Sequence, residues 1–192
     1  MRQGQWVCRE WAPYATAIYL RGEFSQWRIA EAFRFQPLED GVWELRLPQS
    51  ALDHGALYRL HVRWPEGAGE RIPAYARRVV QDPRTQIFNA QVWRPPQPYQ
   101  WQHGPVAPAS RPESEGLLIY EAHVGMAQEA AKVGSYLEFA DAVLPRIVAA
   151  GYNTLQLMAI PEHPYYGSFG YQVSNFFAPS SRFGTPDELK AL

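Results

Sequence analysis

The pattern of apolar and polar residues changes character midway along the chain. Before about residue 93, short runs alternate apolar and polar residues or carry β-branched and aromatic ones, with Gly-containing turns between them. Residues 17–20, 42–47 and 57–62 are examples of these runs. Short strands with turns at this spacing are typical of an antiparallel β-sandwich. The first 93 residues are therefore predicted to form an immunoglobulin-like β-sandwich.

Beyond residue 116 the apolar runs become continuous, which favours strands buried on both faces of a parallel sheet. These runs span residues 117–120 and 154–160. Between them, Ser135 and Glu138 have capping-box spacing, and Gly151 stands where a helix ends. The apolar residues of this helix recur at helical period: Phe139, Ala140, Val143, Leu144, Ile147 and Val148. Strand, helix and strand in this order predict a βαβ unit.

Six prolines crowd into residues 94–116, a composition that marks a semi-rigid connection between domains. The predicted organisation is thus a β-sandwich over residues 1–93, a linker over 94–116 and an α/β part over 117–192. The fold class is multidomain, β and then α/β.

The last residues begin a helix that the sequence does not complete. Thr185, Pro186 and Glu188 occupy the N-cap, N1 and N3 positions, and under two turns follow before Leu192. Such a helix is unstable alone, and two parallel strands leave unpaired edges. We therefore expect the front part of a longer protein, in which further strand–helix units form either an open doubly wound sheet or a barrel of about 250 residues.

The charge and the cysteine content bear on which partners and which compartment to expect for the protein. The net charge is −1, which gives no support for nucleic acid or an anionic membrane as partner. No apolar run suits a membrane span or a signal peptide, and Cys8 is the one cysteine. A reducing compartment and a cytoplasmic location are expected. The sequence leaves the oligomeric state open.

Exposed aromatic rings are candidates for sugar binding, because the apolar face of a pyranose stacks on a flat ring. Trp11 and Trp27 fall on turn-like segments, although burial in the core is the commoner fate of a tryptophan. Trp43, in mid-strand, is predicted to be core. In the α/β part, Tyr171 lies in the loop after the second strand, where packing within the loop is the alternative. His123 ends the first strand, and a structural role explains a lone histidine there as well as a functional role does.

The sequence gives less support for a metal site or for a pair of catalytic carboxylates. Glu162 and His163 are adjacent, but no third ligand follows at a useful spacing, so no metal is predicted. No Gly-rich phosphate loop is present. Hydrolysis of a glycosidic bond needs two carboxylates across that bond. Several acids of residues 117–192 are best interpreted as capping or solvent-facing groups: Glu121, Glu129, Glu138, Asp141, Glu162, Asp187 and Glu188.

Several segments resemble the α-glucan branching enzymes of the α-amylase superfamily. The resemblance is strong in residues 119–126, stronger in 156–163 and strongest in 168–186, which run from Ser-Phe-Gly-Tyr-Gln to Arg-Phe-Gly-Thr-Pro. Upstream, Trp11-Ala12-Pro13, residues 22–27 and residues 41–45 resemble the glycogen-binding β-sandwich that precedes the barrel in those enzymes. The resemblance covers nearly the whole chain, and it implies that residues 117–192 are the truncated start of a (β/α)8 barrel.

This resemblance implies an enzyme that cuts an α-1,4-glucan and transfers the piece to a 6-hydroxyl, with no cofactor. It implies glycogen, amylose or maltooligosaccharides as partner. Tyr171 would stack on the sugar beside the scissile bond, whereas the family's catalytic acids lie on later barrel strands and are expected to be absent here. The alternatives are a non-catalytic α-glucan-binding protein and the front part of a debranching-type hydrolase. The implied substrate contacts are Trp11, Ala12, Pro13, Trp27, Glu39, Asp40, Gly41, Val42, Arg59, Tyr171 and Gln172.

Overall fold

The computed structural model describes residues 4–104 and 116–192, which divide into two compact units. Unit 1 comprises the described residues up to Pro96 together with Asn175–Ala178, and unit 2 comprises Gln97–Ser174 and Pro179–Leu192. The predicted linker 94–116 therefore starts in unit 1 and continues into unit 2, and its residues 105–115 lie outside the described ones.

Unit 1 contains two antiparallel sheets. Their strands are β1 (Gln5–Trp11), β2 (Ala17–Gly22), β3 (Gln36–Pro37), β4 (Val42–Pro48), β5 (Leu57–Trp64), β6 (Gly67–Arg71), β7 (Val79–Gln81) and β8 (Phe88–Gln91). The first sheet has the strand order β1-β4-β3, and the second has the order β2-β5-β8-β7 with β6 also paired to β5.

One apolar core joins the inward faces of these two sheets. Trp43 on β4 is buried and donates its indole N–H to the carbonyl oxygen of Ala12 at 3.0 Å. The alternating residues Ile18 and Leu20 of β2, and Leu60 and Val62 of β5, belong to the same buried cluster. The predicted β-sandwich and the predicted burial of Trp43 are confirmed.

The segment Asn175–Ala178 completes a smaller core in unit 1. Ala178 is buried with Ala76, Val79 and Ala90. The ring of Phe177 stacks on the ring of Tyr75 with centroids 4.7 Å apart. A piece of chain almost eighty residues beyond Pro96 therefore takes part in this unit.

Unit 2 contains the predicted pair of parallel strands. The strands β9 (Ile119–His123) and β10 (Thr154–Met158) pair in parallel from Ile119 opposite Thr154 to His123 opposite Met158. The further elements of the chain are β11 (Pro161–Glu162), β12 (Asn175–Pro179) and the helix α3 (Pro186–Ala191), which begins with the predicted capping box at Thr185.

Residues 117–120 were expected to be buried on both faces, and this expectation is wrong for the chain as described. Leu117 and Leu118 are more than half exposed, and Ile119 and Tyr120 are also exposed. A parallel strand is covered only when layers pack on both faces, and β9 has one neighbouring strand, β10, among the described residues.

The helix between β9 and β10 begins at the predicted capping box. The hydroxyl of Ser135 accepts from the Glu138 N–H at 3.2 Å, and the Glu138 carboxylate accepts from the Ser135 N–H at 3.0 Å. The helix then runs through α1 (Tyr136–Glu138), a π-helical segment (Phe139–Val143) and α2 (Leu144–Ala149).

The π-helical segment alters which side chains face the core. Pro145 has no N–H for the carbonyl four residues earlier, and its ring crowds that carbonyl, which accounts for the wider turn before it. Phe139 and Ile147 are buried as predicted, but Val148 is 63% exposed. Val148 therefore lies off the buried face of this helix, although it follows Leu144 at helical spacing.

Candidate functional site

Most of the predicted sugar contacts of unit 1 meet at one end of the β1–β4 pair. Trp11, the last residue of β1, lies opposite Val42, the first residue of β4. The Ala12 N–H donates to the Gly41 carbonyl at 2.9 Å, and the Trp11 indole N–H donates to the Asp40 carbonyl at 3.1 Å. We call the surface formed by Trp11, Pro13, Glu39, Asp40, Gly41 and Val42 the Trp11 surface. Ala12 was also expected to contact the sugar, but it is only 7% exposed and belongs to the buried core of unit 1.

The turn of the Trp11 surface depends on two residues in the left-handed region. Asp40 has φ 57° and Gly41 has φ 73°. A Cβ atom on Gly41 would lie 2.7 Å from the Cβ of Pro13, so only glycine allows the two segments to approach so closely. The close contact fixes Pro13 and the turn relative to Trp11.

The Trp11 ring has the geometry of a stacking platform. Trp11 is 66% exposed, while its indole N–H already donates to the Asp40 carbonyl. An exposed ring that needs no further hydrogen bond can present its apolar face to a pyranose without a desolvation penalty at the nitrogen. Tyr14 lies in the same turn, where the Ala15 N–H donates to the Ala12 carbonyl, and it is 86% exposed. The sequence interpretation missed Tyr14, although the Trp-Ala-Pro-Tyr run was the signal.

Trp27 and Arg59 form a second group on the other sheet. Trp27 is half-buried, has φ 57°, and accepts at its carbonyl from Arg21 Nε at 2.8 Å. Arg21 pairs across the sheet with Arg59, whose Nε donates to the Phe88 carbonyl at 3.0 Å. No hydrogen bond or ring contact between described residues joins this group to the Trp11 surface. The predicted contacts of unit 1 therefore separate into two groups.

Polar contacts around Arg21 hold the second group in place. The Glu70 carboxylate accepts from Arg21 Nη1 and lies 3.1 Å from His61 Nδ1. These side chains project from the outer face of the sheet, since Ile18 and Leu20 of β2 face the core. Arg21 thereby links the backbone of Trp27 to the sheet.

In unit 2, Tyr171 ends a tight turn and is 79% exposed. Phe169 (φ 52°) and Gly170 (φ 83°) are both in the left-handed region, and the Tyr171 N–H donates to the Ser168 carbonyl at 3.0 Å. A Cβ atom on Gly170 would lie 2.5 Å from Ala159 Cα, so the turn is packed against the end of the second strand. Gln172 follows and is also exposed.

His123 packs under the turn that carries Tyr171. Its ring meets those of Tyr166, Phe169 and Phe183 edge to face, with centroids 5.7–6.3 Å apart. Burial is the main reason that the pKa of His123 is lowered, with the nearby His163 adding to the effect, so the neutral ring is favoured. His123 and the three aromatic rings around it therefore form a packed cluster that supports the turn.

Glu162 serves the backbone of unit 2. The side chain is fully buried, and its carboxylate accepts from the N–H of His163 at 3.1 Å and of Ser181 at 2.7 Å. The carboxylate thereby connects the backbone at His163 to the backbone at Ser181. Among the described residues no group of three His, Cys, Asp or Glu side chains is placed to hold one.

Replacing Glu162 by alanine is expected to destabilise unit 2 by about 2–4 kcal/mol, because two buried N–H groups lose their acceptor. The measurement is native-state hydrogen exchange at Tyr136 and Phe183, whose N–H groups are bonded within the same unit. Glu162→Gln keeps one acceptor oxygen and should lose about half as much. Equal protection in Glu162→Ala and the parent would contradict this role.

Two further observations concern the chain as a whole. Within residues 4–104 and 116–192, no helix combines the length and apolar character that crossing a bilayer requires. Burial raises the pKa of the Cys8 thiol to about 11, so this group stays protonated at neutral pH.

Comparison with known proteins finds similarity to carbohydrate enzymes along the chain. Residues 1–83 match the family Carbohydrate-binding module 48 (Isoamylase N-terminal domain). The chain is 44% identical over 199 residues to a 1,4-alpha-glucan-branching enzyme of Rhizophagus irregularis, covering 98% of this chain and 28% of the relative. It is 46% identical over 195 residues to a 1,4-alpha-glucan-branching enzyme of Aspergillus oryzae, again covering 98% of this chain and 28% of the relative. The chain thus spans little more than a quarter of the length of the curated relatives it matches.

Solved structures with the same fold include larger carbohydrate enzymes. A putative alpha amylase from Salmonella typhimurium superposes with a TM-score of 0.73 at 21% identity, covering 100% of this chain and 29% of that one. Pullulanase type I from Bacillus subtilis superposes with a TM-score of 0.73 at 22% identity, covering 98% and 29%. At these identities the likeness shows the fold alone.

The two sandwich sheets of unit 1 fit the match of residues 1–83 to Carbohydrate-binding module 48. Homologues at 40–46% identity over most of the chain, in both units, are 1,4-alpha-glucan-branching enzymes. The chain therefore carries a carbohydrate-binding module of family 48 and is homologous to about 27% of the length of 1,4-alpha-glucan-branching enzymes.

Proposed function

We propose that this chain is the glucan-binding part, and the opening of the catalytic domain, of an enzyme that branches α-1,4-glucans. Identity above 40% over 98% of the chain is the observation that carries the proposal, because it includes the Tyr171 turn as well as the binding module. The parent enzyme cleaves an α-1,4 bond, holds the released piece as a glycosyl ester, and transfers it to a 6-hydroxyl with retention.

In this proposal β9 and β10 are the first two strands of a (β/α)8 barrel. Their parallel pairing and the helix between them fit that role. The exposed apolar residues at Leu117–Tyr120 fit it as well, because the remaining layers of a barrel would cover them. Tyr171 follows the second strand, on the side of a barrel where active sites form, and its exposed ring would stack on a bound sugar.

The Trp11 surface supplies glucan binding by the module. One pyranose stacks on the exposed Trp11 ring, and the polar groups of the Glu39–Gly41 turn accept and donate at its hydroxyls. The ligands are linear α-1,4-glucans such as amylose, glycogen branches and maltooligosaccharides. We also propose a cytoplasmic location, since Cys8 is the one cysteine of the chain.

Replacing Trp11 by alanine is expected to weaken maltoheptaose binding roughly 5- to 30-fold, corresponding to about 1–2 kcal/mol of lost stacking. Isothermal titration calorimetry on the parent chain and the variant measures the change. Trp101→Ala is the matched control, because Trp101 is 69% exposed but lies in unit 2. Unchanged affinity in a folded Trp11→Ala variant would refute the role of this surface.

Trp27 has a separate test, because it belongs to the second group. Its half-buried ring and its carbonyl bond to Arg21 make it a contact of smaller area than Trp11. The same titration on Trp27→Ala tells whether the second group also contacts the glucan.

A further inference from the structure

A cleft of about 580 Å³ lies at the other end of the β1–β4 pair from the Trp11 surface. It opens between the turn that follows β4, beginning at Gln49, and the segment that follows β8, Arg94–Pro96. In the β1–β4 register, Gln5 opposite Pro48 is six residues from Trp11 opposite Val42. At the rise of a β-strand this separates the cleft from the Trp11 surface by roughly 20 Å.

The walls of this cleft combine an apolar part with a polar rim. Leu52, Pro95 and Pro96 supply the apolar part. Ser50 and Asp53 are exposed at the rim, and their side chains make no hydrogen bond or ion pair with another described residue. A volume of this size lies within the range usual for small-molecule sites.

The basic and aromatic groups at the cleft are held by protein contacts. The Arg94 guanidinium lies over the Trp6 ring at 5.7 Å, and the Trp6 indole N–H donates to the Gln49 carbonyl at 3.2 Å. The Arg94 N–H donates to His54 Nδ1 at 3.0 Å, so the hydrogen of the neutral His54 ring is on Nε2. Contacts within the protein therefore hold Arg94, Trp6 and His54 in place at the cleft before any ligand binds.

The balance of these groups favours a neutral polyhydroxyl ligand. Asp53 repels anions, while Arg94 repels cations and has its planar face against Trp6. Hydroxyl groups can both donate to Asp53 and accept from Ser50 and His54, and the apolar wall suits the C–H face of a pyranose. We propose that this cleft is a second subsite for linear α-1,4-glucan on the module, distinct from the Trp11 surface.

This inference rests on the proposed function and gives it a new element. With two subsites roughly 20 Å apart, one long glucan chain can bind the module at both. Once the chain is bound at one subsite, its effective concentration at the other is high, because the second binding step is intramolecular. Neighbouring branches of one glucan particle could likewise occupy the two subsites together.

The experiment maps both subsites at once by ¹H–¹⁵N NMR on the 21.9 kDa chain, titrated with maltotriose to tens of millimolar. Amides of residues 49–54 and Arg94 should shift along a binding curve of their own, separate from that of Trp11 and Gly41. Asp53→Ala should weaken the first curve about tenfold and leave the second unchanged, since it removes a hydrogen bond to a charged group. Glu66→Ala, an exposed acid in the turn before β6, is the control and should change neither curve.

The outcomes separate the two proposals. Shifts at the Trp11 surface alone would overturn the second subsite and leave the proposed function intact. Shifts at neither place would overturn both. Shifts at residues 49–54 whose binding constant is unchanged in Asp53→Ala would overturn the cleft as the place of binding.

Discussion

Purified alone, the 192-residue chain is expected to leave amylose unbranched. A retaining transfer needs one carboxylate as nucleophile and another as acid and base across a single glycosidic bond. In unit 2, Glu138 and Glu188 are bound to the backbone of their own helix N-termini, and Glu162 accepts two backbone N–H groups. Asp187 pairs with Lys190. These acids have structural tasks, and none is placed as a free pair.

The expected deficit is large, because losing a catalytic residue typically lowers kcat by about 10⁴-fold or more. The measurement is incubation with amylose, followed by iodine staining and by counting new α-1,6 branch points after debranching. A full-length homologous branching enzyme is the positive control. Branch points above a protein-free blank would contradict the expectation, and would require a catalytic pair within the chain itself.

Replacing Trp43 by alanine is expected to lower the stability of unit 1 by about 3–5 kcal/mol. The side chain is 7% exposed in the core between the two sheets, and truncation removes its transfer energy and leaves a cavity. The variant also leaves the Ala12 carbonyl without the indole donor. Because Ala12 follows Trp11 and its N–H donates to the Gly41 carbonyl of the Trp11 surface, the same change should weaken glucan binding.

Native-state hydrogen exchange at buried amides of β2 and β5 measures this loss of stability without assuming that both units unfold together. Trp101→Ala is again the control, since truncating an exposed side chain is expected to change stability by at most about 0.5 kcal/mol. A loss below about 1 kcal/mol in Trp43→Ala would mean that the core can close over the missing ring.

Local chemistry explains which elements could be predicted from the sequence. The capping boxes at Ser135 and Thr185 need only residues three positions apart, so their spacing in the sequence suffices. Trp43 alternates with polar neighbours in a strand, and this period alone assigns it to the core. The Trp11 surface was predicted through resemblance to a family, and the structure supplies the contacts that join its residues.

Features that depend on distant residues were not predictable in the same way. The wide helical turn before Pro145 is absent from a regular helical period, and the exposure of Val148 was not predicted either. The separation of Trp27 and Arg59 from the Trp11 surface depends on which sheet each strand joins. The cleft at Gln49 and Arg94 brings together segments more than forty residues apart, without a motif in either.

The place of Asn175–Ala178 in unit 1 has a consequence for how such a module can be moved between proteins. The matched family ends at residue 83, yet the small core of Ala76, Val79 and Ala90 is closed by Ala178. A recombination event or an engineered fusion that copies only the first 96 residues would leave this apolar patch uncovered and Tyr75 without its stacking partner. The compact unit that contains the matched module is therefore encoded by two separate stretches of the gene, and copying the first stretch alone would not reproduce it.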